Sequence, residues 1–425
     1  MRRDAAGRRP TRNGGPDDDD RRDDSDRERL LQLLDRTRRQ PADFPDAASL
    51  AAAGRFGADG LNRLFRLHLH RTPEAFLRRA RVEAAQRILL ETDRSFARAA
   101  DEAGFESSSL FRNEFRRLTG LSPRAWRRLR TESSFTCELP DDFRADDCLR
   151  YLGRDPDSPV EQVRGRILRR AVRIDGRPAV LQIALHRGRA VVVVEAKHPV
   201  STPGMARAHW IVRRLLGLDL DPAPFARSGR RLGRLARVVA RRPGLRIPQT
   251  ADVFEGLVWS IIGQQINLPF ALRLRRRLIE RAGTAVNGLI VHPGPDAVAR
   301  LDYGDLTAVQ YSRRKAEYLI DTGRIVARGG LMPESFPEEP ATVVEHRLLS
   351  LRGVGPWSAQ YVMMRACGFA DCVPAGDSGL ATALQRLHHL EHRPDAGETR
   401  RLMEPFAPHR SLATFHLWRM LGDTA

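Results

Sequence analysis

At 425 residues the chain is long enough for about three domains of ordinary size. Its formal charge of +19 points to a polyanion, nucleic acid first, and no run of about 18 apolar residues or apolar N-terminal core marks a membrane span or a secretory leader. Four cysteines (Cys137, Cys148, Cys367, Cys372) are too few for a disulfide scaffold and lack metal-ligand spacing, so a soluble protein of the reducing cytoplasm, with no metal site and no membrane partner, is expected.

Residues 1–27 are Arg, Asp, Gly and Pro with almost nothing apolar, including Asp17 to Asp20. Such a segment cannot bury enough surface to fold, and a disordered tail is expected. Residues 28–132 read as helices in two similar units. The first runs Ser49 to Phe56 and then Gly57 to Arg66; the second runs Ser95 to Phe105 and then Glu106 to Arg117. Each is a short alanine-rich helix, a glycine turn and an amphipathic second helix. Phe111, Phe115 and Leu118 recur at helical spacing and are expected in the core, which turns Arg112, Asn113 and Arg116 outward. A polar second helix after a glycine turn is helix-turn-helix logic, with that helix entering the major groove. By the same logic Arg63 faces DNA from the first unit.

Residues 134–245 change character. Ala179–Leu185 and Val191–Glu195 predict strands joined by a turn at His186–Arg189, and Trp210–Leu216 predicts a helix. No chemistry is legible there. Residues 246–425 are helical. Within them the stretch from Leu348 carries an apolar helix end into Gly353-Val354-Gly355, followed by a helix starting at Pro356. Glycines let the backbone approach a partner closely, and free N–H groups at a helix start suit a phosphate. Asp377 follows in Pro374-Ala375-Gly376-Asp377-Ser378-Gly379-Leu380, a carboxylate at a loop-to-helix junction beside small residues. Trp357 and Tyr361 are one helical turn apart and share a face, either in the core or lining a pocket.

Two resemblances rest on these residues. The paired units, joined by a helix over Pro73–Glu91 and closed by Gly120-Leu121-Ser122-Pro123-Arg124-Ala125-Trp126-Arg127, are similar to the AraC-type DNA-binding domain over about 100 residues. Leu351-x-Gly353-Val354-Gly355-x-x-Ser358-Ala359 with the Gly-Asp-x-Gly-Leu that follows resembles the helix-hairpin-helix DNA glycosylases, in particular the AlkA type, 3-methyladenine DNA glycosylase II. Ile261-Ile262-Gly263-Gln264-Gln265, Tyr311–Ala316 and Phe406–Ser411 extend that likeness. The fold implied is mainly α with a small α+β domain: an AraC-type double helix-turn-helix (28–132), an AlkA-like N-terminal α/β domain (134–245) forming one wall of a cleft, and an all-α helix-hairpin-helix glycosylase domain (246–425).

What the resemblance implies for function is specific. Asp377 is the catalytic carboxylate, which also caps the helix starting at Ser378. Gly353, Val354, Gly355 and Ser358 grip the DNA backbone. Gln265 fills the space left by an extruded base, unless it serves only as a polar helix end. Trp357, Tyr361 and His409 form the base pocket, with His409 and Phe406 standing where the family's typical members carry an aromatic residue and Trp. Relatives that cut the strand carry a lysine in the first turn after Gly-Val-Gly, where this chain has Trp357; the chain's two lysines, Lys197 and Lys315, lie elsewhere. A monofunctional enzyme is implied, releasing alkylated bases of the 3-methyladenine and 7-methylguanine class from double-stranded DNA and leaving an abasic site. No cysteine follows Cys372, so no iron–sulfur cluster and no other cofactor is expected. Promoter DNA is a second partner if the AraC-type domain reads sequence. The alternative is a transcription regulator of an alkylation response whose glycosylase part only binds DNA; a glycosylase for oxidised purines is a weaker third reading.

Overall fold

The computed structural model describes residues 16–422, and their side chains from residue 25. Seven helices open the chain: α1 (Pro16–Arg39), α2 (Ala47–Ala53), α3 (Ala58–Leu69), α4 (Pro73–Glu91), α5 (Phe96–Glu102), α6 (Ser108–Thr119) and α7 (Pro123–Arg128). α1 corrects the reading of residues 1–27 as a disordered tail, because from residue 16 they are helical; residues 1–15 lie outside the described residues. Residues 16–27 carry little apolar surface of their own to bury. A helix anchored further along by Leu30, Leu33 and Leu34, all buried, extends at little cost once nucleated.

The helix-turn-helix units are set by their caps. Asp46, Thr72, Ser95, Ser107 and Ser122 each accept a backbone N–H in the first turn of the helix they precede. Leu50, Leu61, Phe65, Phe76 and Leu77 form the first unit's core with α1. Phe111 and Phe115 are buried and Leu118 half-buried, in a core that also takes in Trp126 and the following sheet. That shared core makes the second unit and the α/β region one packed body.

The α/β region begins with β1 (Ser134–Glu138) and α8 (Ala145–Leu152). Then come β2 (Glu161–Arg164), β3 (Ile167–Ile174), β4 (Arg177–His186) and β5 (Arg189–Ala196), in an antiparallel sheet of order β1-β5-β4-β3-β2. The β4–β5 hairpin closes at His186 opposite Arg189. α9 (Thr202–Leu215) covers the sheet, starting eight residues before the expected Trp210 because Ser201 caps it and Pro203 suits its first turn. Two short helices, α10 (Ala223–Ala226) and α11 (Ala236–Arg241), lead into the helical part.

That part holds α12 (Val253–Ile262), α13 (Leu268–Ala282), a small hairpin of β6 (Thr284–Val286) and β7 (Leu289–Val291), α14 (Pro295–Ala299), α15 (Tyr303–Thr307) and α16 (Arg313–Ala327). α17 (Ala341–Leu349), α18 (Pro356–Val362), α19 (Ser378–His388), α20 (Ala396–Met403) and α21 (Arg410–Leu421) complete it. Two apolar clusters fill most of it, while Ile279, Val286, Leu289 and Val291 pack with the sheet in a third. Phe254, Val258, Ile261, Leu274 and Leu319 form one. Leu348, Ala359, Leu380, Leu384, Phe415 and Leu417 belong to the other, with α10 and α11. The described residues are thus mainly helical, with one five-stranded antiparallel sheet and a two-stranded hairpin.

A buried ionic group bolts the sheet to the helical part. Arg275 on α13 pairs with Glu161 on β2 at 2.8 Å and with Glu255 on α12 at 3.1 Å, and Arg170 on β3 pairs with both acids. Burial alone would raise the Glu255 carboxyl; Arg170, then His292 and Arg275, hold it well below the usual carboxylate range instead.

Candidate active site

A cleft of about 1420 Å³ opens where the two apolar clusters meet. This exceeds a typical small-molecule pocket and suits a groove for a polymer with a recess for one unit of it. One rim is the turn between α17 and α18. Gly353 has φ +88°, and a Cβ there would lie 2.3 Å from the Tyr318 ring beneath it, so both conformation and space demand glycine. Nothing lies within 4 Å of the corresponding position on Gly355, which leaves that backbone open to a partner. Val354 is buried and anchors the turn, its N–H donating to Leu351 O at 3.0 Å.

Gln264 ties the facing rim to this turn: its amide donates to Gly353 O at 2.7 Å and to Ser358 Oγ at 3.0 Å. Gln265, the next residue, is exposed with φ +56°, a left-handed conformation that few non-glycine residues adopt. Such strain persists only where the surroundings hold it, and here it falls on a residue that lines the cleft. Beside it Leu268 is 52% exposed on the same cleft, which apolar spacing could not signal because it opens a helix.

Asp377 caps α19, and three donors converge on its carboxylate. Oδ1 accepts the Leu380 backbone N–H at 2.7 Å and the Trp418 indole N–H at 2.9 Å; Oδ2 accepts the Trp357 indole N–H at 3.1 Å. The cap and the cleft-facing carboxylate are therefore one arrangement. Trp357 and Tyr361 stand with ring centroids 5.5 Å apart, and Tyr361 and Trp418 with centroids 6.0 Å apart. Trp259 donates to the Tyr361 hydroxyl at 2.8 Å. The α/β region closes the recess with Tyr151 and Arg154, whose guanidinium sits 4.3 Å from the Tyr151 ring and 5.5 Å from that of Trp259. Burial alone would raise the Tyr151 phenol, but Arg154 and then Arg365 hold it below its ordinary value; burial and Tyr151 raise Tyr361.

The structure thus brings Asp377, Trp357, Tyr361, Gln265, Gly353, Val354, Gly355 and Ser358 to one cleft. It does not bring His409 there, which corrects its expected place in the base pocket. His409 precedes α21 and packs against Phe225 on α10, ring centroids 6.1 Å apart, while the same helix delivers Trp418 to the cleft more than two turns later. Trp418, Trp259, Tyr151 and Arg154 were not singled out from sequence. α21 is buried from Ser411 to Leu417 and mixes polar with apolar residues around its circumference, so no period marks Trp418. Tyr151 and Arg154 come from a region whose sequence carries no chemical motif.

Lys315 also reaches the cleft, where its amine donates to Ile262 O at 2.7 Å and is held below its ordinary pKa by burial. Arg63, Arg112, Asn113 and Arg116 lie apart from the cleft, exposed on α3 and α6, with Arg116 paired to Glu138 at 3.0 Å. Among the described residues no group of His, Cys, Asp or Glu could hold a metal ion, and no helix is long and apolar enough to cross a membrane.

Three family profiles match in succession: a helix-turn-helix domain at residues 50–129, the AlkA N-terminal domain at 138–252, and the HhH-GPD superfamily of base excision DNA repair proteins at 258–408. The chain is 29% identical to a DNA-3-methyladenine glycosylase of Bacillus subtilis over 289 residues, 67% of this chain and 95% of the relative. It is 29% identical over 398 residues, 89% of this chain and 77% of the relative, to a Mycobacterium tuberculosis protein described as a probable bifunctional transcriptional activator/DNA repair enzyme AlkA. The 3-methyladenine DNA glycosylase of Archaeoglobus fulgidus superposes with a TM-score of 0.58 at 25% identity, covering 67% of this chain and 97% of that one. Fold, hairpin and capped carboxylate together define a DNA glycosylase of base excision repair. The chain carries the AlkA N-terminal and HhH-GPD domains of a base excision repair glycosylase, with an AraC-type helix-turn-helix module ahead of them.

Proposed function

We propose that this glycosylase flips out and hydrolytically releases purines alkylated at N3 or N7, leaves an abasic site, and acts in the cytoplasm. One observation carries the reading: a carboxylate held by two indole N–H groups and a backbone N–H, inside a recess walled by aromatic rings. A base must leave the duplex stack before its bond to the sugar can be attacked. Gly353, Val354, Gly355 and Ser358 hold the backbone and Gln265 occupies the vacated space. An alkylated purine carries positive charge, and each aromatic face attracts a cation by about 0.5–2 kcal/mol. As the glycosidic bond breaks, positive charge builds on the sugar, and the fixed Asp377 carboxylate stabilises it and orients the attacking water.

The monofunctional assignment rests on Trp357 in the turn after Gly355, where a Schiff base would need an amine, and on Lys315 being spent on a helix carbonyl. For the helix-turn-helix module the proposed partner is promoter DNA, read by α3 and α6 through Arg63, Arg112, Asn113 and Arg116, with many of the arginine contacts going to phosphates. The three units proposed are residues 28–132, 134–245 and 246–425. The test is release of free 3-methyladenine or 7-methylguanine from methylated DNA by wild type and by Asp377→Asn, with borohydride added to trap any covalent enzyme–DNA adduct. Release by wild type alone, without trapping, is expected. Equal release by Asp377→Asn sinks the catalytic role, and a trapped adduct sinks the monofunctional one.

A further inference from the structure

The helix-turn-helix module meets the glycosylase at the loop that carries the catalytic carboxylate. His70 ends α3 in a left-handed conformation, φ +53°, and its ring reaches across to residues 369–371. The Asp371 backbone N–H donates to His70 Nδ1 at 3.1 Å, and the imidazole meets the Phe369 ring edge-on with centroids 5.5 Å apart. Nδ1 accepts this bond only when unprotonated. Burial holds the imidazole down to about 4, with Asp371 opposing the shift and Arg410, Arg71 and His68 adding to it, so the accepting form persists at neutral pH. A second bond fixes the approach of α3: His68 Nδ1 lies 2.7 Å from Thr342 Oγ1 on α17.

Asp371 is a hub. Its carboxylate grips Arg410 through two bonds of 2.7 Å, and Arg410 is the first residue of α21. Ser411, next on α21, donates to Phe369 O at 2.7 Å and accepts the Cys372 N–H at 3.0 Å. α21 carries Trp418, which donates to Asp377, and the chain itself runs from Asp371 to Asp377 in six residues. Two physical routes therefore connect His70 to the carboxylate, one along the loop and one along α21. Every other hydrogen bond named on this loop comes from the glycosylase domain itself.

We propose that His70, although it belongs to the helix-turn-helix module, is a positioning residue of the glycosylase, holding the Phe369–Asp377 loop so that Asp377 and Trp418 meet the flipped nucleotide in register. The proposal rests on the reading of Asp377 as the catalytic carboxylate. It makes the module part of the catalytic unit as well as a DNA-binding accessory, because a small misplacement of a catalytic group costs rate steeply.

The test uses the full chain and two substitutions. His70→Gly accepts the left-handed backbone and removes the acceptor. His70→Asn also tolerates that backbone, and its Oδ1 stands close to where Nδ1 stood. His70→Gly is expected to lower the single-turnover rate of base release about tenfold, the size of one lost hydrogen bond, with DNA affinity unchanged. His70→Asn is expected to restore most of that rate. Hydrogen exchange of the Asp371–Asp377 amides is expected to rise in His70→Gly and to return towards wild type in His70→Asn, a readout independent of base release. Unchanged rate or unchanged exchange in His70→Gly overturns the proposal. So does His70→Asn being as slow as His70→Gly, which would reduce His70 to ring packing. A wild-type protein that released no base would instead undo the reading of Asp377, while the exchange data would still decide whether His70 holds the loop.

Discussion

Trp418 donates its indole N–H to Oδ1 of Asp377 at 2.9 Å, joining residues 41 apart in the chain. With Trp357 on the other oxygen, the carboxylate is clamped between two aromatic residues that also wall the recess. The side chains that hold the carboxylate are thus also the ones that line the recess.

Asp377→Asn keeps an efficient helix cap, since Asn and Asp rank together at that position, but removes the negative charge proposed to stabilise the sugar. Base release is expected to fall by about two to three orders of magnitude, with melting temperature and DNA affinity close to wild type. Single-turnover release beside a binding titration checks it.

Trp418→Phe retains an aromatic wall and deletes one donor to the carboxylate. Hydrogen bonds to charged groups contribute about 1.5–3 kcal/mol, so the rate is expected to drop roughly 10- to 100-fold. DNA affinity should change little. A rate within twofold of wild type would show that Trp357 and the Leu380 amide suffice to hold Asp377.

With a formal charge of +19 and exposed arginines on α6, DNA affinity is expected to fall steeply as salt rises. Arg112→Ala should reduce the slope of log K against log salt by about one if the residue meets a phosphate, and should alter sequence preference if it meets a base. Titrations at several salt concentrations on two duplex sequences separate these outcomes; an unchanged slope and preference would remove Arg112 from the DNA surface.

Glu255→Ala leaves buried Arg170 and Arg275 sharing Glu161 alone and is expected to cost about 3 kcal/mol or more of stability at neutral pH. The sign of the pH dependence follows from the lowered folded-state pKa. Ionised Glu255 contributes stability above its ordinary value of 4.5, and that contribution is lost as pH falls below it. Urea unfolding across pH should bring wild type and variant together towards acid. A constant gap between them would place the effect in packing.

Much of the fold could be read locally. The helix over Pro73–Glu91 begins at a Thr cap followed by Pro and ends where it was expected. The β4–β5 hairpin and the faces of Phe111 and Phe115 follow from period and turn chemistry. These features depend on residues within one or two turns of each other. The helical state of residues 16–27 was not legible, because it comes from the burial of Leu30, Leu33 and Leu34 further along the chain.

The sequence by itself determined the hairpin, the cap at Asp377 and the shared face of Trp357 and Tyr361, since glycine conformation, capping and helical period act over a few residues. Only the tertiary structure decided what stands around them. It turned His409 towards Phe225, brought Trp418 to Asp377, lent Tyr151 and Arg154 from the α/β region, and set His70 against the loop that leads to Asp377. Those pairings depend on how whole helices pack, and ridge-and-groove contacts between distant segments leave no period in the chain to announce them.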